Sequence, residues 1–289
     1  MAENNSRKNI FERMFAIDRR WVYGFLMLAV VLSVIAKPII PIPISREARS
    51  IYDFMNSLNS GDYIHLAMDY DPSTLAELHP MTRAVLKQCF EKKIKVIITA
   101  LHQNGPGMAA AAIDTACQRH FELTGYRPES GKDWVFLGYK PYPILIILGM
   151  GQNYRIPFPN DYYNVPLDSL PMMNGIRNYQ NVKAVINISA TSATDWWITY
   201  GNGRYQVPLA IGVTGVMATD YYPYLQTGQI FGILGGLQGA AEYETLVGTP
   251  GKAVEGMSVQ VVGHSIIIIF IIIGNIGYFA TRKKSKLGL

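Results

Sequence analysis

Residues 63–101 read YIHLAMDYDPSTLAELHPMTRAVLKQCFEKKIKVIITAL. Tyr63 to Tyr70 is a short apolar run suited to a strand, Ser73 to Lys92 repeats apolar residues at helical spacing, and Lys95 to Leu101 is a second, β-branched run. A strand, a helix of this length and another strand make a right-handed crossover unit, which requires parallel strands. The pattern continues on both sides. Upstream, SREARSIYDFMNSLNSGD reads as a short helix closed at Asn59-Ser60-Gly61. Downstream, Met108 to Leu123 is helical, and Trp134 to Tyr139, Ile144 to Leu148, Lys183 to Ser189 and Val207 to Val216 are strand-like. The fold class is therefore α/β, a doubly wound and mainly parallel sheet with helices on both faces.

That domain lies between two apolar segments. Trp21 to Ala36 (WVYGFLMLAVVLSVIA) is uncharged, and Val261 to Ala280 (VVGHSIIIIFIIIGNIGYFA) is an uncharged run of isoleucine-rich sequence. Each has the length and polarity of a membrane span. The first also has the form of a signal peptide, with a basic start and the small residue Ala36 at a candidate cleavage site; we read it as an uncleaved anchor. The expected organisation is a basic tail over 1–20, a first span over 21–37, a domain over 38–260, a second span over 261–280 and a basic tail over 281–289.

The net charge of +5 is carried by those tails. Arg7, Lys8, Arg13, Arg19 and Arg20 precede the first span, and Arg282, Lys283, Lys284 and Lys286 follow the second. From Pro38 to Ala280 there are 16 Lys and Arg against 18 Asp and Glu. A near-neutral body gives no basic groove, so nucleic acid is not an expected partner. The positive-inside rule puts both termini in the cytoplasm and the domain outside it. Cys89 and Cys117 are expected as two buried thiols, a disulfide being the alternative for an extracytoplasmic domain.

The segment Leu225 to Leu246 (LQTGQIFGILGGLQGAAEYETL) carries Gly228, Gly232 and Gly236 four apart. Read as a helix, it presents a stripe against which another helix packs closely. Trp196, Trp197, Tyr221 and Tyr222 fall in loop-like sequence and are expected at a protein interface or at headgroup level.

Chemistry, if present, belongs just after the strands, where open α/β sheets bind their ligands. The candidates are Asp69, Asp71 and Ser73 after the first strand, His102 and Asn104 after the second, Asn153 after the run 144–148, and Asp195 after 183–189. The spacing of Asp69, Asp71 and Ser73 resembles both the aspartate loop of haloacid-dehalogenase phosphatases and the metal-adhesion loop of von Willebrand A domains. The likeness covers this loop alone, and the adhesion pattern has a serine where Asp71 stands. No cofactor is expected, Mg²⁺ or Ca²⁺ on Asp69 and Asp71 being the alternative, because hard cations prefer clustered carboxylate oxygens. The same residues also form an ordinary helix cap. Asn187-Ile188-Ser189 matches a glycosylation sequon inside an expected strand.

These features favour a non-enzymatic structural or accessory subunit of an oligomeric membrane complex, with the lipid bilayer and other subunits or further copies as partners. The alternatives are an extracytoplasmic ligand-binding or sensing domain and a metal-dependent hydrolase centred on Asp69 and Asp71.

Overall fold

The structure, a computed structural model, describes residues 18–38 and 40–286; most of the N-terminal basic tail and residues 287–289 lie outside the described residues. It divides into two units, residues 1–40 with 255–289 and residues 41–254.

The first unit is a pair of helices. α1, Arg19–Ala36, begins where the Asp18 side chain accepts the Arg20 N–H and ends at Lys37 in the left-handed region. Its partner, the C-terminal helix Lys252–Lys286 (α9 below), starts well before the apolar run. Residues 252–260, which the sequence assigns to the domain, belong to this helix because nothing from Lys252 to Gln260 breaks it. The two pack antiparallel. Phe25 meets Phe270 edge-on at 5.9 Å, Gly263 lies against Val30, and Lys37 Nζ reaches Glu255 Oε1 at 3.1 Å. Both are long and apolar enough to cross a membrane, and Trp21, Met27, Ile35, Ile268 and Ile271 are exposed. A core helix of a water-soluble protein buries such side chains.

The second unit contains a six-stranded, wholly parallel sheet in the order β3-β2-β1-β4-β5-β6. In chain order its elements are α2 (Arg46–Ser57), β1 (Tyr63–Asp69), α3 (Leu75–Glu91), β2 (Lys95–Thr99), α4 (Gly105–Thr124), β3 (Trp134–Phe136), α5 (Pro143–Gln152), β4 (Ala184–Ser189), α6 (Ala193–Trp196), β5 (Leu209–Val213), α7 (Gly215–Gln226), β6 (Gly232–Gly235) and α8 (Gly236–Leu246). The central strands are buried on both faces, which explains their near-continuous Val, Ile and Leu content. The chain reverses its winding between β1 and β4, so this is the topological switch point of the sheet. One sheet face is covered by α5, the 153–182 segment, α6 and α7, whose buried side chains join Ala67, Ile97, Val185 and Ile211 in one core.

Two expected elements are corrected. Residues 144–148 are not a strand but part of α5. Pro143 stands in its first turn after Tyr142, whose backbone is left-handed; a run as uniformly apolar as ILIIL carries no period to separate the two structures. The segment 225–246 is not one helix. It contains the end of α7, a turn, strand β6 and helix α8, so the three glycines share no helical face. Gly228 sits in an open turn at φ 76°, and Gly236 joins β6 to α8 at φ 58°. Gly232 opens the edge strand, where a Cβ would overlap the Ile51 side chain and come 2.9 Å from the Glu47 carbonyl oxygen of α2. Close approach is the correct reason for that glycine, with a strand and not a stripe as its setting.

Candidate functional site

The carboxyl ends of β1 and β4 are joined around Asp69. This residue closes β1, pairs in register with Ser189 of β4 and is wholly inaccessible to solvent. Its Oδ1 accepts the Leu101 backbone N–H at 2.7 Å, from the turn after β2. Its Oδ2 accepts Asn187 Nδ2 at 2.8 Å and the Trp197 indole Nε1 at 3.1 Å. Asn187 is fixed in turn by the Thr194 hydroxyl, which donates to its Oδ1 at 2.9 Å. Trp197 starts a π-helical turn, Trp197–Asn202, directly after α6. The side chain of Asp69 thus ties β1 to β4, to the end of β2 and to the helix that follows β4.

Burial pushes the Asp69 carboxyl up to about 6, against the opposite pull of its three donors. A carboxyl tuned close to neutrality at a switch point is the usual mark of a catalytic acid or base. Geometry decides against that use here. A general base needs an oxygen lone pair within reach of substrate, and Asp69 has no accessible surface, with each oxygen also accepting at least one fixed donor. Its three donors are neutral dipoles, and among the described residues no cationic side chain pairs with it.

Four residues toward the amino end of the same strand, His65 is also wholly buried. Its Nδ1 faces the Tyr154 hydroxyl at 3.0 Å and its Nε2 the Thr99 hydroxyl at 2.8 Å. Rings of Tyr154, Tyr179 and Trp197 surround it, the last at 5.1 Å between centroids. Burial drives the imidazole down to about 3, so it is neutral at physiological pH.

Of the residues singled out from sequence, Asp69 meets only Trp197; the other candidates are bonded to close neighbours or stand apart from it. Asp71 is not at the Asp69 carboxylate: its Oδ1 accepts both the Ser73 N–H at 2.9 Å and the Ser73 hydroxyl at 2.6 Å, capping a 3-10 turn. His102 takes the Asn104 backbone N–H at 3.3 Å, and Asn104 precedes α4 without a side-chain cap. Asn153 ends α5 and accepts the Arg155 N–H at 3.1 Å; with 144–148 helical, it is no longer a residue that follows a strand. Asp195 is exposed on α6. No group of three or more His, Cys, Asp or Glu suited to a metal ion occurs among the described residues.

The aromatic candidates divide. Trp197 and Tyr221 are buried inside the chain and are not presented to a partner, whereas Tyr222 is exposed and Trp196 partly so. Cys89 and Cys117 are free buried thiols. Asn187 of the sequon has no accessible surface, so no glycan fits on the folded chain. Sequence reasoning missed Asn187, Thr194 and His65 as members of the site. The available signal was polarity on one strand face: His65 and Asp69 alternate with apolar residues in β1, as Asn187 and Ser189 do in β4.

No protein-family model, no curated protein and no solved structure matches the chain.

Proposed function

We propose that this chain is a non-enzymatic accessory subunit of an oligomeric membrane complex, held in the bilayer by α1 and α9 and presenting the doubly wound domain outside the cytoplasm. The observation that carries the reading is the closure of the switch point. Where an open α/β enzyme keeps its reacting groups, Asp69 is buried under Trp197 and held by three donors. The hydrolase alternative loses its support with it, because the Asp71 carboxylate is spent on a cap.

Membrane attachment is supported by the exposed apolar surface of two antiparallel helices. An antiparallel pair brings the start of α1 and the end of α9 to one side, and the basic residues flanking both spans favour the cytoplasmic side. Membership of a complex is supported by an apolar patch on the domain. Tyr142, Leu145 and Ile156 are 74%, 65% and 62% exposed, and Ile156 lies over Gly149 on the same helix face as Leu145. Contiguous exposed apolar groups of this kind mark interaction sites.

Native mass spectrometry of the chain solubilised from its own membrane, with each terminus tagged, tests the proposal. It predicts a species heavier than the monomer and, in protease-treated intact cells, digestion within 41–251 while both tags survive. A monomer without co-purifying protein, or a terminal tag removed from outside, contradicts it.

A further inference from the structure

An open concavity of the domain lies at the other end of the sheet. Below the amino ends of β2 and β3, a cleft of about 520 Å³ opens between the last turns of α3 and α4 and the loop before β3. Its floor is the buried pair Phe90 and Ile94. His120 stands edge-on to Phe90 at 6.1 Å and to Tyr126 at 6.4 Å, so three rings line it at steep angles. Such a volume and lining suit a small molecule with a flat apolar body.

The charges around the cleft are unequal in availability. Glu91 is paired with Lys87 at 2.7 Å. Asp133 accepts the Tyr126 hydroxyl at 2.5 Å and the Glu129 N–H at 2.8 Å. Lys132 lies over the Tyr126 ring and reaches Glu129 at 3.4 Å. Lys93 lines the same cleft on a left-handed backbone at φ 56°, and its ammonium makes no contact with any described carboxylate. The uncommitted charge facing the cleft is therefore positive.

We propose that this cleft binds an aromatic carboxylate, its ring against Phe90, His120 and Tyr126 and its acid group on Lys93. The inference does not depend on the accessory-subunit reading. Among the described residues lining the cleft, Lys93 is the cation without a carboxylate partner, which a carboxylate complements, and the cleft of about 520 Å³ has room for a further ring against the cluster of Phe90, His120 and Tyr126.

The probe is 2-naphthoate, titrated by equilibrium dialysis into the full chain in phosphatidylcholine nanodiscs, with empty nanodiscs as the blank and neutral 2-naphthylmethanol as the comparison. The expected result is saturable binding of the acid, weakened about fivefold by Lys93→Gln and by replacement of the acid with the alcohol, with Lys132→Gln changing it far less. No saturable binding above the blank up to millimolar acid overturns the proposal. So does equal affinity for acid and alcohol on the unmodified chain, a comparison that requires no variant to fold, or a Lys93→Gln chain that binds the acid as tightly as the original.

Discussion

The two ends of one parallel sheet have been put to opposite uses. At the carboxyl end Asp69 and Asn187 are buried and bonded within the fold: Asp69 to Leu101, Asn187 and Trp197, and Asn187 to Thr194. At the amino end a cleft stays open, with a free cation above an aromatic floor. Position in a fold therefore does not assign a site. The residue in the customary place, with the customary shifted titration, is buried and tied to three donors, and an accessible cleft lies where doubly wound sheets seldom bind ligands.

The sharpest way to break this contrast is to remove that carboxylate. Asp69→Ala leaves three buried donors without an acceptor, and the expected loss is about 3 to 5 kcal/mol of unfolding free energy, read by thermal or denaturant melting. Asp69→Asn should restore only part of it, because an amide NH₂ must then face another donor. If either variant keeps full stability, the carboxylate is not the tie described here.

The pH dependence separates Asp69 from His65. The His65 imidazole falls from its ordinary value of 6.5 to about 3 on folding, so the unfolded chain binds more protons between those values. Its contribution is present above pH 6.5 and is lost as pH falls toward 3. Asp69 rises from 3.8 to about 6, so the folded chain binds more protons there, and its contribution is lost as pH rises from 3.8 to 6. At about 1.4 kcal/mol per unit the two are each worth about 3 to 5 kcal/mol and oppose one another between pH 4 and 6. His65→Gln should therefore become more stable relative to its own pH 7 value as pH falls from 6 to 4, and Asp69→Asn should become less so. Parallel pH profiles in the two variants would contradict the assignment.

Away from both ends, Gly232→Ala forces a Cβ into Ile51 and the Glu47 carbonyl, with an expected cost of about 1 to 3 kcal/mol. Gly228→Ala meets only open space at a positive φ and should lose about 1 kcal/mol. A helical stripe would make the two changes equivalent. Lys93→Gln, on the rim of the cleft, should shift stability by no more than about 0.5 kcal/mol, because its exposed side chain pairs with no described carboxylate.

Much of the fold was legible because the strands advertise themselves. YIHLAMD, KVIIT and AVINIS are short, β-branched and punctuated by turns, and the helices between them have the length a crossover needs. Two segments were not legible for opposite reasons. ILIIL has no polar residue to reveal its period, and α5 forms because Pro143 presets the first turn. In QIFGILGGLQG the glycine spacing imitates a helical stripe, while the true cause, contact of one strand glycine with α2, lies far away in sequence. The site was half legible. Asp69 stood out by its place after a strand, but its partners Leu101 and Asn187 lie 32 and 118 residues away. Asn187 drew notice only as a sequon, and Trp197 read as a surface aromatic because nothing local shows that a π-helical turn aims its indole inward.

The chain has 4 tryptophans, few enough for each indole N–H to be followed separately in ¹⁵N-tryptophan-labelled protein, with Trp197→Phe assigning the signal. The Trp197 resonance measured against pH tests the closed switch point most directly. The account predicts an indole proton protected from solvent exchange, with a shift that titrates near pH 6 as Asp69 changes charge. A Trp197 indole that exchanges freely, or that titrates near 4 like a solvated carboxylate's neighbour, would mean that the switch point is open and Asp69 available for chemistry.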